Sequence, residues 1–102
     1  MEPISRVTAP TVDVLKVLLS SSAPVWGLAI IKVTGRLPGS VYPILERLER
    51  LGWAESSWDV DTDRSGPRRR LYELTAPGAA AAVRTCHQFE VRSHTRLVPV
   101  TS

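Results

Sequence analysis

The spacing of the apolar residues changes at Gly52, and this change most constrains what the chain can fold into. In "GSVYPILERLERLG", residues 39–52, the apolar side chains from Val41 to Leu51 recur at helical intervals and form one stripe. In "RRLYEL", residues 69–74, the two sides of an extended chain alternate, which is typical of a strand. The fold must therefore pack an amphipathic helix against a strand-containing segment that follows it.

Two further helices are predicted before this one. In "TVDVLKVLLS" the apolar residues again have helical spacing, and Thr11 is suited to cap the N-terminus of the helix. In "PVWGLAIIKV" a second helix is expected to begin near Pro24 and to end at Thr34-Gly35, where glycine is a common C-terminal signal. The first half of the chain is therefore expected to be helical.

After Gly52 the sequence predicts a hairpin and a final helix. "WAESSWDV" indicates one strand, "RRLYEL" the next, and the polar "DTDRSGPRRR" a long, charged loop between them. Thr75 is a suitable N-cap for the last helix, with Pro77 in its first turn. This order predicts an α+β, mainly α fold, a winged helix-turn-helix with three helices, a two-stranded β wing and a C-terminal helix. The expected divisions are a flexible N-terminal tail (1–10), the winged-helix domain (11–75), a C-terminal dimerisation helix (76–96) and a tail (97–102).

Composition excludes several classes of protein. The 102 residues suffice for one domain, and the 43% apolar and 23% charged content is that of an ordinary soluble globular protein. No apolar run approaches the length of a membrane span, and no signal peptide precedes the first helix, so a cytoplasmic location is expected. One cysteine, Cys86, excludes an internal disulfide, and with His87 and His94 it lacks a metal-ligand set. We expect no metal, no cofactor and no enzymatic activity, because no nucleophile–base pair or phosphate-binding glycine loop is present.

The start of the third helix has residues suited to a nucleic-acid surface. Gly39 and Ser40 are small, so backbone N–H groups can approach a phosphate where the helix dipole also favours an anion. Tyr42 offers a hydroxyl to phosphate and a flat ring to sugar or a thymine methyl. Pro43 is tolerated if it lies in the first turn. The simpler alternative is that Tyr42 covers a neighbouring element and Gly-Ser only caps the helix.

Arginines concentrate in the predicted wing. Arg64, Arg68, Arg69 and Arg70 lie within seven residues that contain no acid, although three aspartates precede them. The net charge of +3 and the pI of about 9.6 agree with a polyanionic partner. A solvated loop is the alternative interpretation. The candidate DNA-binding residues are Arg36, Gly39, Ser40, Tyr42, Pro43, Arg47, Arg64, Arg68, Arg69 and Arg70.

Two strings resemble the PadR-type transcriptional regulators. "GSVYPILERLERLGW" and "SGPRRRLYELTAPG" are similar to the family's recognition-helix and wing patterns, and "APVWGLAI" is similar to its second-helix signature. The resemblance covers about residues 11 to 80 and departs from the family pattern at Leu28, where a tyrosine is usual, and between Gly66 and Pro67, where an arginine often lies. It implies a dimeric DNA-binding repressor whose third helix and wing contact DNA.

The resemblance also implies a C-terminal dimerisation helix, and some family members sense small aromatic molecules near the dimer interface. The candidate dimer residues are Val12, Leu15, Leu19, Ala79, Ala82, Val83, Cys86 and Phe89. The alternative is that the first and last helices cover the protomer's own core. Trp26, Trp53 and Trp58 are expected to be core anchors, with an aromatic platform for a planar effector as the alternative.

The predicted function is therefore a sequence-specific regulator of transcription. It would bind double-stranded DNA as a homodimer on a palindromic operator, as a repressor released by a small aromatic effector. The alternative is a winged-helix protein–protein interaction module without DNA readout, whose wing arginines bind an acidic partner. The polar start of the third helix favours DNA, because a protein interface would favour an apolar anchor there.

Overall fold

The computed structural model describes residues 1–60 and 68–97, with side chains described as far as residue 93. Within these ranges the chain forms helices and short strands in the order that the sequence predicts, with one strand added. In chain order the elements are α1 (Ala9–Ser20), β1 (Val25–Trp26), α2 (Gly27–Thr34), α3 (Pro38–Arg50), β2 (Ala54–Trp58), β3 (Arg70–Leu74) and α4 (Ala76–Leu97). The predicted winged-helix arrangement is confirmed, and residues 98–102 of the predicted C-terminal tail lie outside the described residues.

Helix α1 begins earlier than the sequence pattern indicates. Thr8, not Thr11, is the N-cap, and its side chain accepts from the Thr11 backbone N–H at 3.4 Å. Pro10 lies in the first turn, where its missing N–H has no intrahelical use, so the helix extends back to Ala9. Thr11 is buried, and its hydroxyl is 3.0 Å from that of Thr8. The predicted cap was therefore wrong by three positions.

A short third strand replaces the predicted start of the second helix. Val25 and Trp26 form β1, which pairs antiparallel with β3 in the register Val25↔Tyr72 and Trp26↔Leu71. The sheet order is β1-β3-β2, so the two-stranded wing is part of a three-stranded sheet. Helix α2 begins at Gly27 rather than near Pro24 because this pairing satisfies the backbone groups that a longer helix would use.

Glycines end the second and third helices as predicted. Gly35 has φ +70°, and Gly52 has φ +83°, both in the left-handed region that favours glycine. At the end of α3 the Trp53 N–H donates to the Leu48 carbonyl at 2.8 Å, and the Gly52 N–H donates to the Glu49 carbonyl at 3.1 Å. These two bonds form a Schellman motif, which turns the chain directly into β2.

The start of α3 differs from the expectation for Pro43. The helix begins at Pro38, so Pro43 lies in the second turn and not in the first. It therefore removes a hydrogen bond that the Gly39 carbonyl would otherwise accept. Gly39 is exposed, so water can satisfy this carbonyl and the cost of the proline is reduced.

The core lies between the helices and the inner face of the sheet. Trp53 is 2% exposed and belongs to this core, as predicted, but Trp58 is 49% exposed and Trp26 is half-buried outside it. The expectation that all three tryptophans anchor the core was therefore wrong for two of them. The buried apolar residues are Val12, Val14, Leu15, Leu18, Ile30, Val41, Leu45, Leu48, Trp53, Ala54, Tyr72, Ala81, Ala82 and Cys86.

Helix α4 is attached tightly to the end of α3 and the start of β2. The Thr75 hydroxyl accepts from the Gly78 N–H at 3.0 Å, which confirms Thr75 as the cap, and it also donates to the Gly52 carbonyl at 3.0 Å. A Cβ on Gly78 would lie 2.0 Å from the Trp53 carbonyl oxygen. The string "LTAPG" therefore encodes a cap and a close backbone contact.

The N-terminal segment makes defined contacts before α1. The Glu2 N–H donates to the Leu51 carbonyl at 2.9 Å, and the Trp53 indole N–H donates to the Glu2 carbonyl at 2.6 Å. Ile4 and Val7 pack against the core. These residues therefore lie against the body of the protein rather than forming the expected flexible tail.

Candidate nucleic-acid interface

The N-terminal half of α3 presents a polar and exposed surface. Val41, Leu45 and Leu48 are fully buried on one side of the helix. On the other side the exposed residues of the predicted site are Gly39, Ser40, Tyr42 and Pro43. The amphipathic stripe thus fixes the helix against the core and leaves its opening turns accessible to a large ligand.

Tyr42 is positioned by the start of α2. It is 40% exposed, and its ring atom Cε1 would lie 2.9 Å from a Cβ on Gly27. The ring therefore uses the space that the missing side chain of Gly27 leaves. Tyr42 therefore covers the start of α2, as the alternative interpretation of the sequence expected, and its ring also remains accessible to solvent.

The wing arginines lie on both faces of the sheet. On the face toward α3, the guanidinium carbons of Arg68 and Arg70 are 5.7 Å and 5.3 Å from the centre of the Trp58 ring. On the outer face, the guanidinium carbon of Arg69 is 4.1 Å from the centre of the Trp26 ring. Each position is within the range of a cation–π interaction. The fourth predicted arginine, Arg64, lies outside the described residues.

A polar cluster links α3 to the wing. The Ser56 hydroxyl donates to the Glu49 carboxylate, with 3.0 Å to Oε1, and the Arg70 guanidinium donates to the Ser56 hydroxyl at 2.7 Å. Arg70 also pairs with Glu49 Oε1 at 3.4 Å. We call these three side chains the Glu49–Ser56–Arg70 cluster. It holds one of the predicted DNA-contacting cations against the recognition helix.

Tyr72 is a buried residue of β3, two positions after Arg70. Its side chain is 6% exposed, and burial raises the pKa of its phenol, with the adjacent Arg70 opposing this shift. The Arg70 guanidinium therefore lies beside a buried phenol on the face of the wing that also pairs with Glu49 of α3.

Two other predicted DNA contacts have partners within the protomer. Arg36 forms an ion pair with Asp13, with Nη2 2.9 Å and Nε 3.0 Å from Oδ2. Arg47 donates to the Ser5 backbone carbonyl. Both side chains are only partly exposed, so the structure ties them to α1 and the N-terminal segment.

The sequence profile of the PadR-like family of transcriptional regulators matches residues 14–84. The chain belongs to the PadR-like family. Members of this family are DNA-binding regulators rather than enzymes, so the recognition helix and wing described above lie in a DNA-binding fold.

Three solved structures are similar in fold to this PadR-like chain, and two of them are named as a transcription factor or a transcriptional regulator. A PadR-like transcription factor from Bacteroides fragilis is 22% identical with a TM-score of 0.65, and the match covers 83% of this chain and 84% of that one. The PcaV transcriptional regulator from Streptomyces coelicolor, in complex with its natural ligand, is 21% identical with a TM-score of 0.75, covering 94% and 64%. MarR from E. coli is 29% identical with a TM-score of 0.64, covering 80% and 56%. The chain thus spans less than two thirds of PcaV and of MarR. No curated protein matches its sequence significantly.

Four of the residues assigned to a dimer interface lie inside the PadR-like protomer. Val12, Leu15, Ala82 and Cys86 are buried between α1 and α4, as the alternative interpretation of these helices expected. The apolar spacing that suggested a seam between two chains instead joins two helices of one chain. Burial also raises the pKa of the Cys86 thiol. The remaining four residues retain exposed surface, namely Leu19, Ala79, Val83 and Phe89.

Residues 1–60 and 68–97 contain no group of three or more histidine, cysteine or acidic side chains that could hold a metal. Among the helices of the same residues, none has the length and apolar character needed to cross a membrane.

Sequence reasoning missed three residues that shape the interface of this PadR-like chain. Gly27 accommodates the ring of Tyr42, Trp26 stacks on Arg69, and Glu49 pairs with Arg70. Trp26 stands at the N-cap of α2 without making a side-chain cap bond, a position that the sequence did not reveal because it indicated a helix start near Pro24. The contacts of Gly27 and Glu49 depend on how the helices and sheet come together, which local spacing does not encode.

Proposed function

We propose that this PadR-like chain is a sequence-specific repressor that reads double-stranded DNA with the start of α3 and the wing together. The observation that carries the proposal is the attachment of the wing cation Arg70, through Ser56 and Glu49, to the same helix that exposes Tyr42. It joins a cation of the wing to a helix that presents a hydrogen-bonding aromatic side chain. A DNA-binding regulator of this kind acts where the DNA is, and a cytoplasmic location is part of the proposal.

The geometry suits a duplex in size and chemistry. The 13 residues of α3 give a rod of about 20 Å, long enough to lie in a major groove about 12 Å wide. Exposed Ser40 and Tyr42 offer hydroxyl groups to phosphates or base edges, and exposed Arg68 offers a planar guanidinium from the wing. Helix contacts supply sequence preference, while the wing supplies salt-dependent affinity.

A dimer on a palindromic operator is the second part of the proposal. Half-sites one helical turn apart are about 34 Å from centre to centre, so two copies must be joined by a surface away from α3. Helix α4 provides such a surface, because Val83 is 56% exposed there, whereas Phe89 packs against the protomer's own core. The dimer therefore uses the outer side of α4, and the buried side holds α1.

Release by a small aromatic effector is the third part of the proposal. The solved PcaV structure contains that protein's natural ligand, and its fold is shared by this chain. A cleft of about 300 Å³ lies between the N-terminal segment and α4, and Phe89, Arg6 and Arg92 contribute to its lining. A lining that contains both an aromatic ring and guanidinium groups suits a planar aromatic acid.

Duplex selection tests the DNA-binding function directly. Duplexes bound by the wild-type chain are selected from a random pool and their sequences examined for a two-fold repeat. The affinity for the selected duplex and for an unrelated one is then measured against salt concentration. A palindromic consensus and a steep salt dependence support the proposal.

Substitution of Tyr42 and Arg68 tests the location of the site. Tyr42→Ala and Arg68→Ala are each expected to weaken binding to the selected duplex by about tenfold, the effect of losing about 1.4 kcal/mol of contact. Thermal unfolding of Arg68→Ala should stay close to that of the wild type, because its side chain is exposed, whereas Tyr42→Ala also loses the packing of the ring on Gly27 and should be slightly less stable while remaining folded. Fluorescence anisotropy with a labelled duplex gives the affinities.

Arg84→Ala is the matched control for net charge. Arg84 is exposed on α4, so its removal lowers the total charge equally without touching the proposed surface. Its affinity should equal that of the wild type. Wild-type affinity in both Tyr42→Ala and Arg68→Ala would show that DNA does not bind here. Duplex binding without salt dependence or sequence preference would favour the protein-interaction module instead.

A further inference from the structure

The ring of Trp26 has no role in the core or in helix capping. It is half-buried and lies outside the cluster of core residues, although tryptophan side chains are highly buried on average. It occupies the N-cap position of α2, where a short polar side chain is usual, and makes no cap hydrogen bond. Its placement on the outer face of the sheet therefore has another cause.

Arg69 supplies that cause. Its guanidinium carbon lies 4.1 Å from the centre of the Trp26 ring, closer than either of the other two arginine–tryptophan contacts in the described residues. Its backbone is fixed as well, because its carbonyl accepts from the Asp59 N–H at 2.7 Å. Both ends of this side chain are thus held, one by the hairpin and the other by Trp26.

The stacked arrangement leaves the terminal N–H groups of Arg69 free of the ring face, so that they can donate hydrogen bonds. A guanidinium that lies on a ring uses its flat face, and its N–H groups point outward in the plane. The Nε atom is buried and has no hydrogen-bond partner among the described residues. Because it is buried, a ligand outside the protein would be bound by the terminal Nη atoms alone. The in-plane fork of terminal N–H groups has the geometry that a phosphate accepts.

We propose that Trp26 is a positioning residue, which holds Arg69 so that its guanidinium contacts a backbone phosphate of bound DNA. Trp26 itself makes no contact with DNA. Arg69 lies on the other face of the sheet from Arg70, but Trp26 directly precedes Gly27, on which the Tyr42 ring of α3 rests. The inference rests on the proposed function and deepens it, because it adds to the interface a residue of β1, outside both α3 and the wing. Pre-ordering of Arg69 lowers the entropy that phosphate binding would otherwise cost.

Trp26→Leu and Trp26→Phe separate the aromatic contribution from simple packing. Trp26→Leu keeps an apolar side chain but loses the ring, and we expect about tenfold weaker duplex binding. Its slope of log affinity against log salt should decrease in magnitude by about 0.9, the value for one phosphate contact. Trp26→Phe keeps a ring and should stay within about threefold of the wild type.

A double-variant cycle tests whether Trp26 acts through Arg69. Arg69→Ala alone should show the same decrease in slope as Trp26→Leu, and combining the two should add almost nothing. Additive losses, or an unchanged slope in Trp26→Leu, would overturn the positioning role. A purely structural role of Trp26 would lower thermal stability without changing the slope.

An NMR measurement of the free wild-type protein tests the stacking itself. The Arg69 side-chain methylene protons should be shifted upfield by the ring current, and the shift should persist in Trp26→Phe and vanish in Trp26→Leu. Absence of the shift in the wild type overturns the proposal even if Trp26→Leu fails to fold. If the wild type binds no duplex, the proposed function fails and this inference with it. If the wild type binds DNA and the cycle is additive, only this inference fails.

Discussion

Single residues decide how closely the elements of this protein approach one another. At Gly27 the absence of a side chain lets the Tyr42 ring rest on the start of α2, and at Gly78 it lets α4 meet the Trp53 carbonyl. The two contacts differ in whether the neighbouring atom could move to admit a larger residue. At Gly27 the obstructing atom belongs to a rotatable ring, whereas at Gly78 it is backbone.

Gly78→Ala is expected to destabilise the fold strongly. The added methyl group would lie 2.0 Å from the Trp53 carbonyl oxygen and 2.8 Å from the Thr75 hydroxyl, so backbone must move to admit it. Overpacking of this kind costs about 3 kcal/mol in the free energy of unfolding. Urea denaturation followed by circular dichroism measures the loss.

Gly39→Ala is the matched control for this substitution. A Cβ at that position meets nothing within 4 Å and lies in α3. Its free energy of unfolding should be unchanged or raised by up to about 1 kcal/mol, the helix preference of alanine over glycine. Equal stability of Gly78→Ala and the wild type would contradict the close approach of α4 to β2.

At the scale of the elements, α3 and the wing act as one unit because side chains connect them. The Glu49–Ser56–Arg70 cluster joins the last turn of α3 to β2 and β3. Glu49 and Arg70 are partly exposed, so the pair contributes only about 0 to 1 kcal/mol to stability. Its larger effect is on charge, since Glu49 neutralises a cation that faces the proposed DNA surface.

Glu49→Gln is therefore expected to strengthen binding to an unrelated duplex. Glutamine can still accept from Ser56 but no longer neutralises Arg70, so the salt slope should increase in magnitude by about 0.9. Anisotropy titrations at several salt concentrations measure this slope. Glu90→Gln removes the same charge from α4, where Glu90 pairs with Lys16, and should leave binding unchanged.

Weaker binding by Glu49→Gln would reverse the interpretation of the cluster. Glu49 would then orient Arg70 toward DNA rather than restrain it. The sign of the change in affinity therefore distinguishes restraint from orientation.

The elements were predictable where local chemistry determines them. The stripe from Val41 to Leu48, the glycine at position 52 and the Thr75 cap each act within one or two turns of chain, and all three predictions were confirmed. Val25 and Trp26 were assigned to a helix because their strand partner lies more than 40 residues away in sequence, in β3. Tertiary pairing overrode the local pattern there.

The candidate site was predictable in its residue types but not in its internal contacts. Exposure of Tyr42 follows from its place opposite the apolar stripe of α3. The partners of Arg36, Arg47 and Arg70 do not follow, because Asp13, Ser5 and Glu49 are brought to them by helix packing. A cluster of charges in a sequence therefore predicts a charged surface, but it does not predict which of its cations already have partners within the protein.

At the scale of the whole molecule, α4 has two different sides. One side is buried against α1 and contains Ala82 and Cys86, while the other presents Val83. The sequence pattern assigned both sides to one dimer seam. The structure separates them into an internal packing face and an external surface, and only the second is available to another copy.

Val83→Glu is expected to convert a dimer into a monomer without unfolding it. Val83 is 56% exposed, so a carboxylate there stays hydrated in the protomer but would be buried, facing its own symmetry mate, in an α4 interface. Sedimentation velocity measures the mass, and binding to a palindromic duplex should weaken with it. Gln88→Glu places the same charge at another exposed position of α4 as a control. A dimeric Val83→Glu protein would exclude this side of α4 from the interface.

The close joint at Gly78 has a mechanical consequence. Thr75 and Gly78 fasten the first turn of α4 to the residues that leave α3 and enter β2, with no spacer to absorb rotation. A change in the tilt of α4 is therefore transmitted to the base of the hairpin. A ligand or a second copy that binds the distal part of α4 would in this way change the orientation of the wing.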